Sequence, residues 1–234
     1  MVRATESPPP PPFGGFPPEA LTFLRELAER QDRAWMAEKK ELYERCLRDP
    51  LASLVVELSD RLAEVGSSLR GNPKRSLFRI HRDTRFSKDK RPYKTNVGAT
   101  LTRDGAKLSP GLLYVHIEPA GSFAAAGFYH PEATALDRLR KGLAERPDEW
   151  RDVRGRLADA GLALARGEAL VRLPRGFEAV TDPEAIEILK LRSWIVSQPL
   201  SEVDISDSRL IERVLTFASA AEPLLGFGWD ALDG

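Results

Sequence analysis

The sequence predicts a single α+β domain in which a central, mainly antiparallel sheet is packed on one face by helices. Three observations predict it. Helical periodicity occupies both ends of the 234-residue chain, two-residue alternation occupies its centre, and no linker is long enough to separate two domains. An apolar content of 42% is enough for a real core, and 30% charged residues is ordinary for a soluble protein.

Residues 1–15 read as a disordered tail, because the five-proline run at 8–12 favours polyproline II and can neither continue a helix nor pair as a strand. The domain then spans 16–234. Its first helix opens at Pro17, Pro18 and Glu19, with Leu21, Leu24, Leu27 and Ala28 on one face. After a break at Gln31 and Asp32 the period resumes through Trp35, Leu42, Tyr43, Cys46 and Leu47. Asp49 and Pro50 form a cap followed by a first-turn proline, and Leu51, Leu54, Val55, Leu58, Leu62 and Val65 carry the next helix to Gly66 or Gly71.

The period then changes, and residues 77–82, 94–102, 112–118 and 122–129 read as strands. Phe78 and Ile80 oppose Arg79 and His81; Thr95, Val97, Ala99 and Leu101 oppose Lys94, Asn96, Gly98 and Thr100; Leu113, Val115 and Ile117 oppose Tyr114, His116 and Glu118. Such alternation marks an antiparallel sheet with one apolar face. Arg103, Asp104 and Gly105 supply a turn. Helices return at 131–143 and 147–160, each with a proline near its start. Residues 162–173 hold one or two short strands, Thr181-Asp182-Pro183 opens a short helix, and 191–200 is the last strand. The final helix, 206–221, is limited by Pro223, and Trp229 packs back from a glycine-rich tail.

Charge and cysteine content exclude several classes of function. Lys plus Arg and Asp plus Glu both number 35, which argues against a general nucleic-acid or membrane coat. The single cysteine, Cys46, rules out an intramolecular disulfide and a cysteine-based zinc site, and it fits a reducing cytoplasm. Its helical register with Leu42 predicts a buried apolar role rather than a nucleophile. No run approaches a membrane span, and the N-terminal residues lack the apolar core of a signal peptide, so a cytoplasmic location is expected. There is no glycine-rich phosphate loop, nucleophile elbow or HExxH motif.

Against this neutral background one stretch stands out. From Lys74 to Lys94 nine Lys and Arg face only Asp83 and Asp89, a net +7 in 21 residues. The loop between the first two strands carries Arg82, Arg85, Lys88, Lys90 and Arg91, and guanidinium groups suit phosphate or carboxylate because they donate two parallel bonds. Asp83 and Ser87 are placed to hold its turns by side-chain to backbone bonds. The strand alternation gathers Arg79, His81, Lys94, Asn96, Tyr114, His116 and Glu118 on the surface opposite the core. An imidazole beside a carboxylate can move a proton near neutral pH. The candidate catalytic residues are therefore His116 and Glu118, and the candidate ligand-binding residues are Arg79, Arg82, Arg85, Lys88, Lys94 and Tyr114. A metal held by His116, Glu118 and His130 is the weaker reading, so no metal is assigned, and the cofactor is left unknown.

The block RDTRFSKDKRPYKT, from Arg82 to Thr95, resembles the signature of DUF2461, an uncharacterised bacterial family. Gly15-Phe16-Pro17, the helix carrying Arg33, Trp35 and Tyr43, the segment YVHIEP, the small-residue run Phe123 to Gly127, Pro174-Arg175-Gly176-Phe177 and Pro199-Leu200 extend the likeness over most of the chain. Met36, Lys39 and Ala120 depart from that pattern. The resemblance implies a single α+β domain and brings no settled activity, substrate or catalytic residue.

Three readings of the basic block remain open. It forms part of a pocket for a small phosphorylated or carboxylated ligand, with or without enzymatic activity. Alternatively it is a non-catalytic module for nucleic acid or an acidic protein, which would show steep salt dependence. In the third reading it is a structural clasp whose Arg82, Asp83, Arg85 and Asp89 pair internally. The first is favoured, because perturbed charge clusters mark sites. The sequence leaves the substrate, the reaction and the oligomeric state unassigned.

Overall fold

The computed structural model describes residues 10–85 and 88–234; residues 1–9, most of the expected tail, together with Phe86 and Ser87, lie outside the described residues. Phe13, which the sequence reading places in the tail, is buried and meets Phe16 edge-on at 5.7 Å, with its N–H donating to the Glu57 carboxylate at 3.0 Å. The packed domain therefore begins earlier than Phe16.

The N-terminal layer is a run of helices: α1 (Glu19–Glu29), α2 (Arg33–Glu38), α3 (Lys40–Tyr43), a π-helical turn (Glu44–Arg48) and α4 (Asp49–Glu64). Asp32 sets the break before α2 by accepting the Trp35 N–H at 2.7 Å, as an N-cap does. Gly66, at φ +77°, ends α4 in a conformation that favours glycine. A short helix, α5 (Pro73–Ser76), leads into the sheet.

Four strands, β1 (Val97–Thr102), β2 (Leu112–Ile117), β3 (Phe123–Phe128) and β4 (Trp194–Pro199), lie in the order β1-β2-β3-β4 with every neighbouring pair antiparallel. Helices α6 (Ala133–Glu145), α7 (Pro147–Asp159) and α8 (Pro183–Lys190) separate β3 from β4, and α9 (Glu202–Ser206) and α10 (Leu210–Asp233) close the chain. The architecture is α+β, with α4 packed on β1 and α10 on β3. Ala99, Leu113, Val115, Ile117, Ala124, Ala126, Trp194 and Val196 are buried on that apolar face. Each large side chain buried there contributes about 1.5–3 kcal/mol.

Four expectations need correction. Residues 77–82 form no regular strand. Leu77 bridges Ala99 and His81 bridges Tyr93, so five residues on one side face seven on the other and the ladder cannot stay continuous. The same irregularity turns Phe78 away from the core and toward Tyr114. Residues 162–173 contain a single bridge, Ala169 to Leu191, in place of strands. The last helix runs through Pro223 to Asp233, because the buried stripe of Leu224, Leu225, Phe227 and Trp229 continues its packing beyond the proline. Trp229 is thus a helical core residue; its Nε1 donates to Pro110 O at 3.1 Å, and its indole lies so close to Gly111 (φ +80°) that a Cβ there would fall 2.2 Å from Nε1. No helix among the described residues is long and apolar enough to cross a membrane.

Candidate functional site

The face of the sheet opposite α4 and α10 is organised around His116. Register places Gly98 and Phe123 opposite His116, and Ala125 opposite Tyr114. The His116 ring stacks on Phe123 with centroids 4.7 Å apart and planes 16° apart. Its Nε2 lies 3.4 Å from the Glu118 carboxylate, while Nδ1 lies 2.9 Å from the Tyr114 hydroxyl and 3.4 Å from Asn96 Nδ2. Two donors, the Tyr114 O–H and the Asn96 amide, face Nδ1, so Nδ1 is the acceptor and Nε2 carries the proton on the side of Glu118. The result is a Tyr–His–carboxylate relay whose imidazole side chain is only 14% exposed. Burial, then the charges of Glu118 and Tyr129, push the Tyr114 hydroxyl up to about 12, so it stays a proton donor at neutral pH.

Two features of β1 make this arrangement fit. Gly98 leaves the space in which the Tyr114 ring lies; a Cβ there would sit 2.6 Å from the Tyr114 hydroxyl and 2.8 Å from Val115 O. The buried Thr100 and Thr102 hydroxyls donate to Lys107 O at 2.8 Å and Ala106 O at 2.6 Å, folding the β1–β2 loop back over the strand. Lys107 thereby reaches the Leu77 carbonyl, and its Nζ lies 5.3 Å from the Phe78 ring centroid. Lys94 Nζ approaches the same ring at 5.4 Å. Among the described residues neither ammonium pairs with a carboxylate. Burial pulls the Lys94 pKa down, and Lys107, Arg79 and Arg82 pull it in the same direction. Sequence reasoning missed Lys107, Phe78 and Phe123. The first stands outside the charged block, Phe78 reads as core by alternation, and Phe123 opens a small-residue run with no face assigned to its strand.

The loop carrying most of the basic block behaves differently. Arg82 pairs with Asp89, with the two side chains 34% and 32% exposed. Arg85 grips Asp83 through Nε at 3.0 Å and Nη2 at 2.7 Å, and Arg91 grips Asp89 through the same two atoms at 3.0 and 2.7 Å. Each aspartate also accepts the backbone N–H of its arginine, at 3.2 Å and 3.0 Å. Arg209 and Asp207 repeat the Asp-x-Arg geometry before α10. Hydrogen bonds from Arg85 hold Asp83 down to about 2, and those from Arg91 hold Asp89 well below the usual carboxylate range. Asp83 thus forms the expected turn, whereas Ser87 lies outside the described residues. Lys90 donates to Thr84 O at 2.8 Å, and Lys88 is exposed.

The structure brings Lys94, Asn96, Tyr114, His116 and Glu118 together as alternation predicts. Arg79 and His81 instead line a groove of about 500 Å³ between the 73–81 segment and the α2–α3 helices, which Phe78 also borders and where His81 meets Tyr93 at 5.1 Å. His130 follows β3 at the end remote from Phe123, about 20 Å along the strand direction from the His116 pairing. Among the described residues no group of three or more His, Cys, Asp or Glu is placed to hold a metal ion. Cys46 is buried, and burial pushes its thiol up to about 11, the state of an inert core cysteine.

Fold and face together define an α+β protein with an antiparallel sheet whose face opposite α4 and α10 carries Tyr114, His116 and Glu118, with Lys94 and Lys107 meeting at Phe78. A search of the curated proteins and a search of the solved structures each found no match. A family model described as "Conserved hypothetical protein (DUF2461)" matches residues 19–227, nearly the whole chain, and the protein belongs to that family.

Proposed function

We propose that the open sheet face binds a small phosphate- or carboxylate-bearing ligand in a cytoplasmic setting, and that Tyr114, His116 and Glu118 move a proton at the bound ligand. One observation carries this reading. Lys94 is half-buried beside Lys107, with its pKa lowered and no carboxylate partner among the described residues. A desolvated cation without a counter-charge is costly, and an anion that fills the position repays that cost. The relay stands on the same face, linked to the lysines through the edge-on contact of Phe78 with Tyr114 at 5.9 Å. Tyr114 passes its proton to His116 Nδ1, its oxygen takes a proton from the bound ligand in return, and Glu118 neutralises the imidazolium that results. Arg79 and Arg82 add to the field at Lys94 without needing to touch the ligand.

The test is a thermal-shift series with inorganic phosphate, pyrophosphate, phosphorylated sugars, nucleotides and di- and tricarboxylates. A ligand at one hundred times its dissociation constant stabilises by about 2.7 kcal/mol. Stabilisation by one small-anion class, lost in Lys94→Met, is the expected result. Equal stabilisation of wild type and variant, or a response confined to DNA and RNA that collapses with salt, contradicts it.

A further inference from the structure

We infer that the groove between α2–α3 and residues 73–81 is a docking site for an extended acidic peptide, which adds as a strand to the free edge of the 77–82 segment. The edge is visible in the hydrogen bonding. Phe78 N–H donates to Gly98 O at 3.0 Å, Ile80 O accepts from Lys94 N at 2.8 Å, and Arg82 N–H donates to Pro92 O at 2.8 Å. Those bonds use one side of the segment. Among the described residues, the backbone N–H and C=O groups of the alternate residues Arg79 and His81 make no backbone hydrogen bond, and both residues are exposed. An edge of this kind is a template for a further strand.

The walls define the peptide. The floor is apolar and well packed: Met36, Ile80 and Tyr93 are each less than a tenth exposed. Cations rise on both sides, Arg33 and Lys40 from the helices, Lys74 and Arg79 from the facing segment, and none of these four pairs with a carboxylate among the described residues. The groove's one acid, Glu44, sits 3.4 Å from Arg48. Arg33, Met36 and Lys40 recur at helical spacing along one wall, which sets the Arg33 and Lys40 charges about 10 Å apart. A strand alternating acidic and apolar side chains meets both requirements: one set enters the floor and the other reaches the cations. The chain's own first nine residues, with Glu6 set against Arg3, do not supply that pattern, so the occupant comes from another protein.

The experiment is fluorescence anisotropy on the full chain with a labelled eight-residue peptide of alternating Glu and Val. Three competitors are added in turn: the same peptide with alternate backbone nitrogens methylated, an oligo-dT, and pyrophosphate. Binding of the unmodified peptide, at least tenfold loss on N-methylation, and at least tenfold loss in Arg33→Glu/Lys40→Glu are expected, with Lys94→Met binding the peptide as wild type does. The N-methylated control reads strand addition without any change to the protein. Equal binding of the methylated peptide overturns the inference, as does stronger binding of oligo-dT. Displacement by pyrophosphate together with loss of peptide binding in Lys94→Met would assign the signal to the sheet face and overturn it too.

Discussion

The 82–91 loop and the open sheet face are both basic, and they handle their charge in opposite ways. In the loop Arg82, Arg85 and Arg91 meet Asp83 and Asp89 at hydrogen-bond distance, so the charge is spent on shaping the chain. On the sheet face Lys94 and Lys107 converge on Phe78; Lys107 donates to the Leu77 carbonyl, and burial deepens the cost of leaving Lys94 without a counter-charge. A high density of cations therefore does not mark a site by itself. A cation without a counter-charge, partly withdrawn from water, is what sets the proposed binding surface apart from a clasp.

Substitutions can break this contrast in a definite order. The largest effect is expected at Gly98, where the close approach of Tyr114 leaves no room for a side chain. Gly98→Ala should cost about 2 kcal/mol by overpacking and should also abolish the anion response, read together by denaturant melts with and without phosphate. Next is Thr100→Val. It removes the hydroxyl that holds Lys107 O, and it should cost about 1 kcal/mol in stability and a similar amount in anion affinity. Unchanged affinity in that variant would detach Lys107 from the site.

The loop should give the smallest effects. Arg85 is 77% exposed, so Arg85→Ala should shift the melting temperature by no more than about 2 °C and leave phosphate binding intact. Its partner supplies a pH signature. Asp83 is held down to about 2 in the folded chain, below the ordinary value of about 3.9 for the unfolded one. The stabilisation is then complete above about pH 4 and lost as pH falls through about 2. Melting curves of wild type and Asp83→Asn should differ above pH 4 and converge near pH 2; parallel curves across that range would mean that the Asp83–Arg85 contact carries no stability.

Much of this was legible in the residues, for physical reasons that differ from place to place. Alternation in β1 and β2 is strict, and a one-residue slip would expose the whole apolar set, so the shared face of Lys94, Asn96, Tyr114, His116 and Glu118 could be read directly. The 77–82 segment misled because its apolar residues alternate while its pairing does not. The bulge within residues 94–98 accompanies the turn of Phe78 toward Tyr114. Pro223 misled because a proline usually stops a helix, whereas here tertiary packing of Leu224, Phe227 and Trp229 outweighs the lost hydrogen bond. The groove depends on residues some forty positions apart, Arg33 and Lys40 against Lys74 and Arg79, which no local pattern can bring together.

The central claim is that Lys94 is a half-buried cation awaiting an anion, and its own titration tests that most directly. Lysine side chains carrying ¹³C-methyl labels, with the Lys94 resonance assigned by Lys94→Arg, would be titrated by NMR with and without inorganic phosphate. The account predicts a Lys94 pKa below the ordinary lysine value of about 10.4 in the free protein, moving upward when phosphate binds. A Lys94 that titrates as an ordinary surface lysine and ignores phosphate would contradict it.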